Sequence, residues 1–210
     1  MAAQSKDSRR DTTIRRILDA AAKVFSETGF AGARMDQIAN SAKVNKATIY
    51  YHIGDKKALY ARVLHTMIGN ATEQFMGDLQ GNESPEDKLK IYIGGVAHTM
   101  EQNPSLAPIV MREQASGGRD LPEAIAAEFA LIISVVTEIL EEGAKQGVFI
   151  KTTPFIIHSM VIGGIMFYQS SYPVRSRYAA FPETVKKLDD RVSGEVSREI
   201  EKLILKAVKK

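Results

Sequence analysis

Residues 35–59 read MDQIANSAKVNKATIYYHIGDKKAL. The spacing predicts two short helices joined by a tight turn, then a third, capped helix, an arrangement suited to placing one helix in a DNA groove. Ile38, Ala39 and Ala42 supply an apolar face for the first helix, Val44 fills the turn, and Ile49 anchors the second helix from beneath. Small side chains at Ala39 and Ala42 let the helices cross closely. Asn45 is a good N-cap, so Lys46, Ala47 and Thr48 form a first turn with free backbone N–H groups and a positive dipole end, which suits phosphate. With Ile49 turned inward, Lys46, Thr48, Tyr50, Tyr51 and His52 cover the other faces. These donors, rings and charges have no evident core role and read as groove contacts.

The order helix, helix, IYYH, then D-K-K-x-L-Y resembles the tetracycline-repressor (TetR) family of bacterial transcription regulators, from about Thr12 to Val63. The resemblance implies that Lys46 to His52 is the recognition helix, that Lys56, just after the cap Asp55, touches a phosphate, and that the last two helices form a dimer interface. Two positions depart from the family pattern: Lys43 stands where a turn Gly is usual, and Arg34 at or near the place of a Thr cap. A non-Gly residue in a left-handed turn costs about 1 kcal/mol, and a missing cap about 1 kcal/mol more. Both substitutions add positive charge beside the DNA face, which makes Arg34 a further candidate contact.

Charge is distributed to match. Residues 1–62 hold 12 Lys and Arg against 6 Asp and Glu, whereas residues 63–210 hold 16 against 19. A basic end on a slightly acidic remainder is expected where one end meets a polyanion. Arg9, Arg10, Arg15 and Arg16 lie before or on the first turns of the first helix, as a solubilising tail or as auxiliary phosphate contacts. That helix carries Ile14, Ile17, Leu18, Ala21, Val24 and Phe25 on one side and ends at Gly29, with Phe30 packing back. The polar start, MAAQSKDSRRDTT, has no apolar core of a signal peptide, and the chain has no Cys, so a cytoplasmic protein without disulfides is expected.

Beyond Asp55 a connector helix bears Leu59, Tyr60, Val63, Leu64, Met67 and Phe75 and ends at a turn around Gly81 and Asn82. Ser84-Pro85-Glu86-Asp87 opens the next helix, with its stripe Leu89, Tyr92, Ile93, Val96 and Met100. Asn103-Pro104 breaks the chain before a short helix around Leu106 to Arg112, and a long helix then runs from Ile125 to a stop at Gly147. The stretch from Phe155 to Tyr168 is apolar almost all round, yet too short and too interrupted to span a bilayer, so it must be buried by protein. The final helix carries Val192, Val196, Ile200, Leu203, Ile204 and Ala207 at helical spacing. Gly163 and Gly164 permit close approach, so these two helices are candidates for a four-helix bundle between two chains.

No strand pattern competes, which predicts an all-α fold: a helix-turn-helix DNA-binding domain over residues 1–54 and a larger ligand-binding and dimerisation domain over 55–210. No phosphate-cradling Gly loop, G-x-S-x-G or H-E-x-x-H is present, and the four histidines are scattered, so neither enzyme chemistry nor a metal or cofactor is expected. The reading is a homodimeric, ligand-responsive regulator, a repressor, that leaves an inverted-repeat double-stranded DNA operator when a small apolar effector enters the larger domain. Candidate pocket residues are Met100, Met111, Phe129, Ile133, Phe155, His158 and Tyr168. An all-α enzyme and a helical protein-binding adaptor are the alternatives, separable by substrate turnover and by sequence-specific DNA binding.

Overall fold

The structure, a computed structural model, describes residues 2–79, 81, 84–188 and 194–210, with side chains from residue 10 onward. Asn82 and Val192, which the sequence reading placed in a turn and on the last helix, lie outside the described residues, as does the side chain of Arg9.

Three helices make the N-terminal unit. Helix α1 (Ala2–Gly32) buries Ile17, Ala21, Val24 and Phe25, and it kinks at Gly29, where φ is 71°. The kink brings Phe30 back onto Phe25 and Tyr60, with ring centroids 6.3 and 5.0 Å apart. Helix α2 (Met35–Ala42) begins at an extended Arg34 that makes no side-chain cap, and it ends at Lys43 in the left-handed region, φ 53° and ψ 46°. Arg16 crosses from α1 to donate to the carbonyls of Ala42 and Lys43, at 2.5 and 3.2 Å. A guanidinium therefore holds the carbonyl end of α2 at the very place where a Gly is missing. Helix α3 (Lys46–His52) starts as expected, with Asn45 Oδ1 accepting from the Ala47 N–H at 2.9 Å, and only Ile49 fully buried.

Helix α4 (Lys56–Leu79) is capped by Asp55, whose Oδ1 accepts from the Ala58 N–H at 2.8 Å. Its first half buries Leu59, Tyr60, Val63 and Leu64 under α1, and its second half packs on α5 (Pro85–Gln102) and α7 (Glu123–Lys145). Helix α6 (Leu106–Ala115), one turn longer than the sequence suggested, lies against both α1 and α8 (Pro154–Arg177). The chain after Gly147 returns in an extended stretch: Ile150 N–H donates to the Val208 carbonyl and Lys210 N–H to that of Val148, so the end of α10 (Gly194–Val208) is tied to the α7–α8 loop. This single isolated bridge is the nearest thing to a strand among the described residues, and the fold is all-α.

The apolar segment beginning at Phe155 is longer than expected. It does not stop at Tyr168 but continues to Arg177 through Pro173. Arg175 lies beyond the proline, buried against the Tyr168 and Tyr172 rings and donating to the carbonyls of Val185 and Leu188. These contacts, which include the short helix α9 (Glu183–Lys186), hold the last turns that propensity alone would lose. Nor does the chain's own fold bury the segment: Ile157, Val161, Ile165 and Met166 face inward, while Phe155, Ile156, Met160 and Phe167 are exposed.

Candidate nucleic-acid interface and ligand cavity

Helix α3 presents its outer side to solvent. Tyr51 is 84% exposed and Tyr50 is 49% exposed, a large exposure for rings on a helix whose Ile49 is wholly buried. Thr48 is half-buried. His52 is also half-buried, its ring edge-on to Tyr51 at 4.9 Å, and its Nδ1 is enclosed without a hydrogen-bond partner among the described residues. Lys46 pairs with Asp36 across the turn at 3.0 Å, and that hydrogen bond raises its pKa above the ordinary lysine value. Arg34, exposed at the start of α2, extends the same positive face.

Lys56 is more constrained than its sequence position indicates. Its ammonium donates to the carbonyls of Phe30 and Ala33, at 2.9 and 3.2 Å, and lies 4.5 Å from the Phe30 ring centroid. An ammonium has three donors, so one N–H is left for a further acceptor. The kink at Gly29 supplies both carbonyls, which makes Lys56 a brace of the N-terminal unit as well as a charge near α3.

The C-terminal helices border a partly open cavity of about 370 Å³. Of the seven residues proposed from sequence, Met100, Phe129, Ile133, Phe155 and His158 line it. Met111 and Tyr168 do not: Met111 is turned outward on α6, and Tyr168 is occupied by Arg175. The cavity's other walls include Ile68, Thr72 and Phe75 of α4, Tyr92 and Val96 of α5, and Met166 of α8. The wall is mostly apolar, with His158 at one side. Its Nδ1 lies 2.8 Å from the Tyr92 hydroxyl, and burial lowers its pKa below the ordinary 6.5 while raising that of Tyr92. A neutral ring is therefore favoured, with hydrogen-bonding capacity and little charge.

Sequence reasoning missed two contacts, one between α4 and α6 and one between α6 and the N-terminal unit. Tyr60 of α4 donates its hydroxyl to Glu113 Oε1 of α6 at 2.7 Å, both groups buried, and burial followed by this hydrogen bond raises the Tyr60 pKa far above the ordinary phenol value. Next to it, Arg112 donates to the carbonyls of Ser26 and Glu27 at the end of the first part of α1, at 3.2 and 2.9 Å. A signal existed for the first: Glu113 follows Leu106 by seven residues and Ile109 by four, where the stripe of α6 calls for an apolar side chain. Nothing local could have paired it with Tyr60.

The models described as Bacterial regulatory proteins, tetR family, and as Tetracyclin repressor-like, C-terminal domain, match residues 17–63 and 85–187. Over 185 residues the chain is 30% identical to the HTH-type transcriptional repressor NicS of Pseudomonas putida, covering 85% of this chain and 84% of that protein. The chain belongs to the tetracycline-repressor family. It is a DNA-binding transcriptional regulator, like the repressor it is similar to, and the exposed α3 is a part that such a protein requires. The solved structure of HlyIIR, a hemolysin II transcriptional regulator, superposes with a TM-score of 0.70 at 26% identity, covering 96% of this chain and 99% of that one. The regulator FadR from Bacillus subtilis, in complex with stearoyl-CoA, shares the fold with a TM-score of 0.63 at 20% identity, over 91% of this chain and 97% of its own. Both relatives and neighbours are transcriptional regulators, and no helix among the described residues is long and apolar enough to cross a membrane.

Proposed function

We propose that this repressor acts as a homodimer on an inverted-repeat operator and lets go of it when a predominantly apolar small molecule fills the 370 Å³ cavity. The observation that carries the reading is the span of α4. One continuous helix anchors Lys56 to the Phe30 and Ala33 carbonyls of the N-terminal unit at its start and lends Ile68, Thr72 and Phe75 to the cavity wall in its second half. Filling the cavity shifts α4, and α4 moves the DNA-binding unit, so the separation of two recognition helices no longer fits two half-sites on one face of the duplex. The DNA contacts are assigned to Arg34, Lys46, Thr48, Tyr50, Tyr51, His52 and Lys56. Residues 1–54 form the DNA-binding domain, and 55–210 the sensing and dimerisation domain. Catalysis has no place in this scheme.

The dimer reading rests on the exposed side of α8, where Ile156, Met160, Gly163, Gly164 and Phe167 recur at helical spacing, and on Leu203 of α10, 57% exposed. A Cβ built at Gly163 or Gly164 meets nothing within 4 Å, so no contact inside the chain requires these glycines. A partner's helix closing on that face would. The deciding experiment is selection of bound sequences from random duplex DNA by the purified protein. Recovery of an inverted repeat with half-sites about one helical turn apart is expected, and recovery of no common sequence would remove the reading.

A further inference from the structure

Glu113 is 6% exposed, and its two carboxylate oxygens are treated differently. Oε1 accepts from the Tyr60 hydroxyl at 2.7 Å, while Oε2 is enclosed with no hydrogen-bond partner among the described residues. A buried carboxylate oxygen without a donor is costly, and a donor or a cation that reaches it offsets the cost. Glu113 also lines a second cavity, of about 160 Å³, together with Leu64, Gly118 and Leu121. This small cavity adjoins the large one, because Val110, Gln114 and Phe129 border both. The two cavities are neighbours, the large one mostly apolar and the small one bordered by an acid.

We infer that the small cavity takes the ammonium end of the effector, with Glu113 as its acceptor, so that the ligand is a primary amine on an apolar body rather than a neutral or anionic molecule. This rests on the proposed sensing role of the large cavity and specifies its ligand. The ammonium brings three donors and one positive charge, the complement of a carboxylate with one oxygen unused. An anionic head group would face the same carboxylate and be rejected. Bulk matters too, since the small cavity has less than half the volume of its neighbour. Binding there has a direct route to DNA: the ligand shares Glu113 with Tyr60 of α4, and the adjoining Arg112 grips the carbonyls of Ser26 and Glu27 in α1.

The test compares four probes of one chain length, octylamine, octanol, octanoate and octyltrimethylammonium, by calorimetric titration into the full-length protein and by operator titration with each probe present. Octylamine is expected to bind about tenfold more tightly than octanol, the worth of a charge-assisted hydrogen bond, with octanoate weakest and the bulky quaternary ion below the primary amine. In Glu113→Gln the advantage of the amine over the alcohol should shrink to near parity, with folding checked by circular dichroism. The comparison of probes on the unmodified protein stands even where that variant fails to fold. Equal binding of amine and alcohol that both release the operator would overturn the ammonium site and leave the apolar sensing cavity intact. Binding by none of the four, or binding that leaves operator affinity unchanged, would overturn both.

Discussion

Tyr51 and Lys56 illustrate how differently two residues of the proposed DNA face are held. Tyr51 stands free of the core, so Tyr51→Ala should leave thermal stability unchanged and weaken specific operator binding by roughly tenfold, about the loss of one base contact. Lys56→Ala should do two things at once. Loss of a phosphate contact should weaken binding to all sequences alike and reduce the salt slope by about 1, while the abandoned carbonyls of Phe30 and Ala33 should lower stability by about 1 kcal/mol. Gel shifts over a salt series, with melting curves of the same variants, separate the two patterns. Lys43 gives the opposite trade. At φ 53° it pays for a left-handed conformation, so Lys43→Gly should stabilise the protein by about 1 kcal/mol in urea denaturation, yet lose non-specific DNA affinity through the missing charge. His158 supplies a pH dependence with a defined sign. Its folded pKa lies below the ordinary 6.5, so the unfolded chain takes up the proton first as pH falls. This site keeps its full contribution above about pH 6.5 and loses it as pH drops from there through the folded value. The difference in urea midpoint between the wild type and His158→Gln should therefore narrow on acidification.

At the scale of the element, α8 is where propensity and environment part. Its inward residues pack on α5, α6 and α7, whereas Ile156, Met160 and Phe167 form a second apolar face with Gly163 and Gly164 between them. Because a Cβ at Gly164 would meet no other part of its own chain within 4 Å, Gly164→Arg should leave the protomer folded and shift the protein from dimer to monomer in sedimentation. Operator affinity should fall with it, since a lone half-site loses the gain from linkage. A wild type that is monomeric at micromolar concentration would contradict the assignment. Elsewhere, glycine is demanded by the interior: a Cβ at Gly143 of α7 would collide with the Phe149 ring, the residue that begins the tie between the α7–α8 loop and the end of α10.

Across the whole molecule, the proposed function depends on coupling between a face at one end of α4 and a cavity at the other. Linkage requires that a ligand which lowers DNA affinity is itself bound less tightly by the DNA-bound protein, by the same factor. Phe129→Arg, which places a charge at the border of both cavities, should abolish ligand response and leave operator titration in the absence of ligand unchanged. An unaltered response would exclude this chamber as the sensor. Much of this organisation was legible along the chain. The caps at Asn45, Asp55 and Ser84, the left-handed Gly29 and the apolar stripes are local matters, set by backbone sterics and by side chains three or four positions apart, so the sequence by itself determined an all-α regulator with a short capped helix at Lys46–His52. What surrounds a side chain from distant segments is not encoded by spacing. Only the tertiary structure decided that Met111 and Tyr168 stay out of the cavity, that α8 runs on through Pro173, that Arg16 closes α2, and that Glu113 meets Tyr60. Each depends on which helices cross and how closely, a result of packing between residues tens of positions apart.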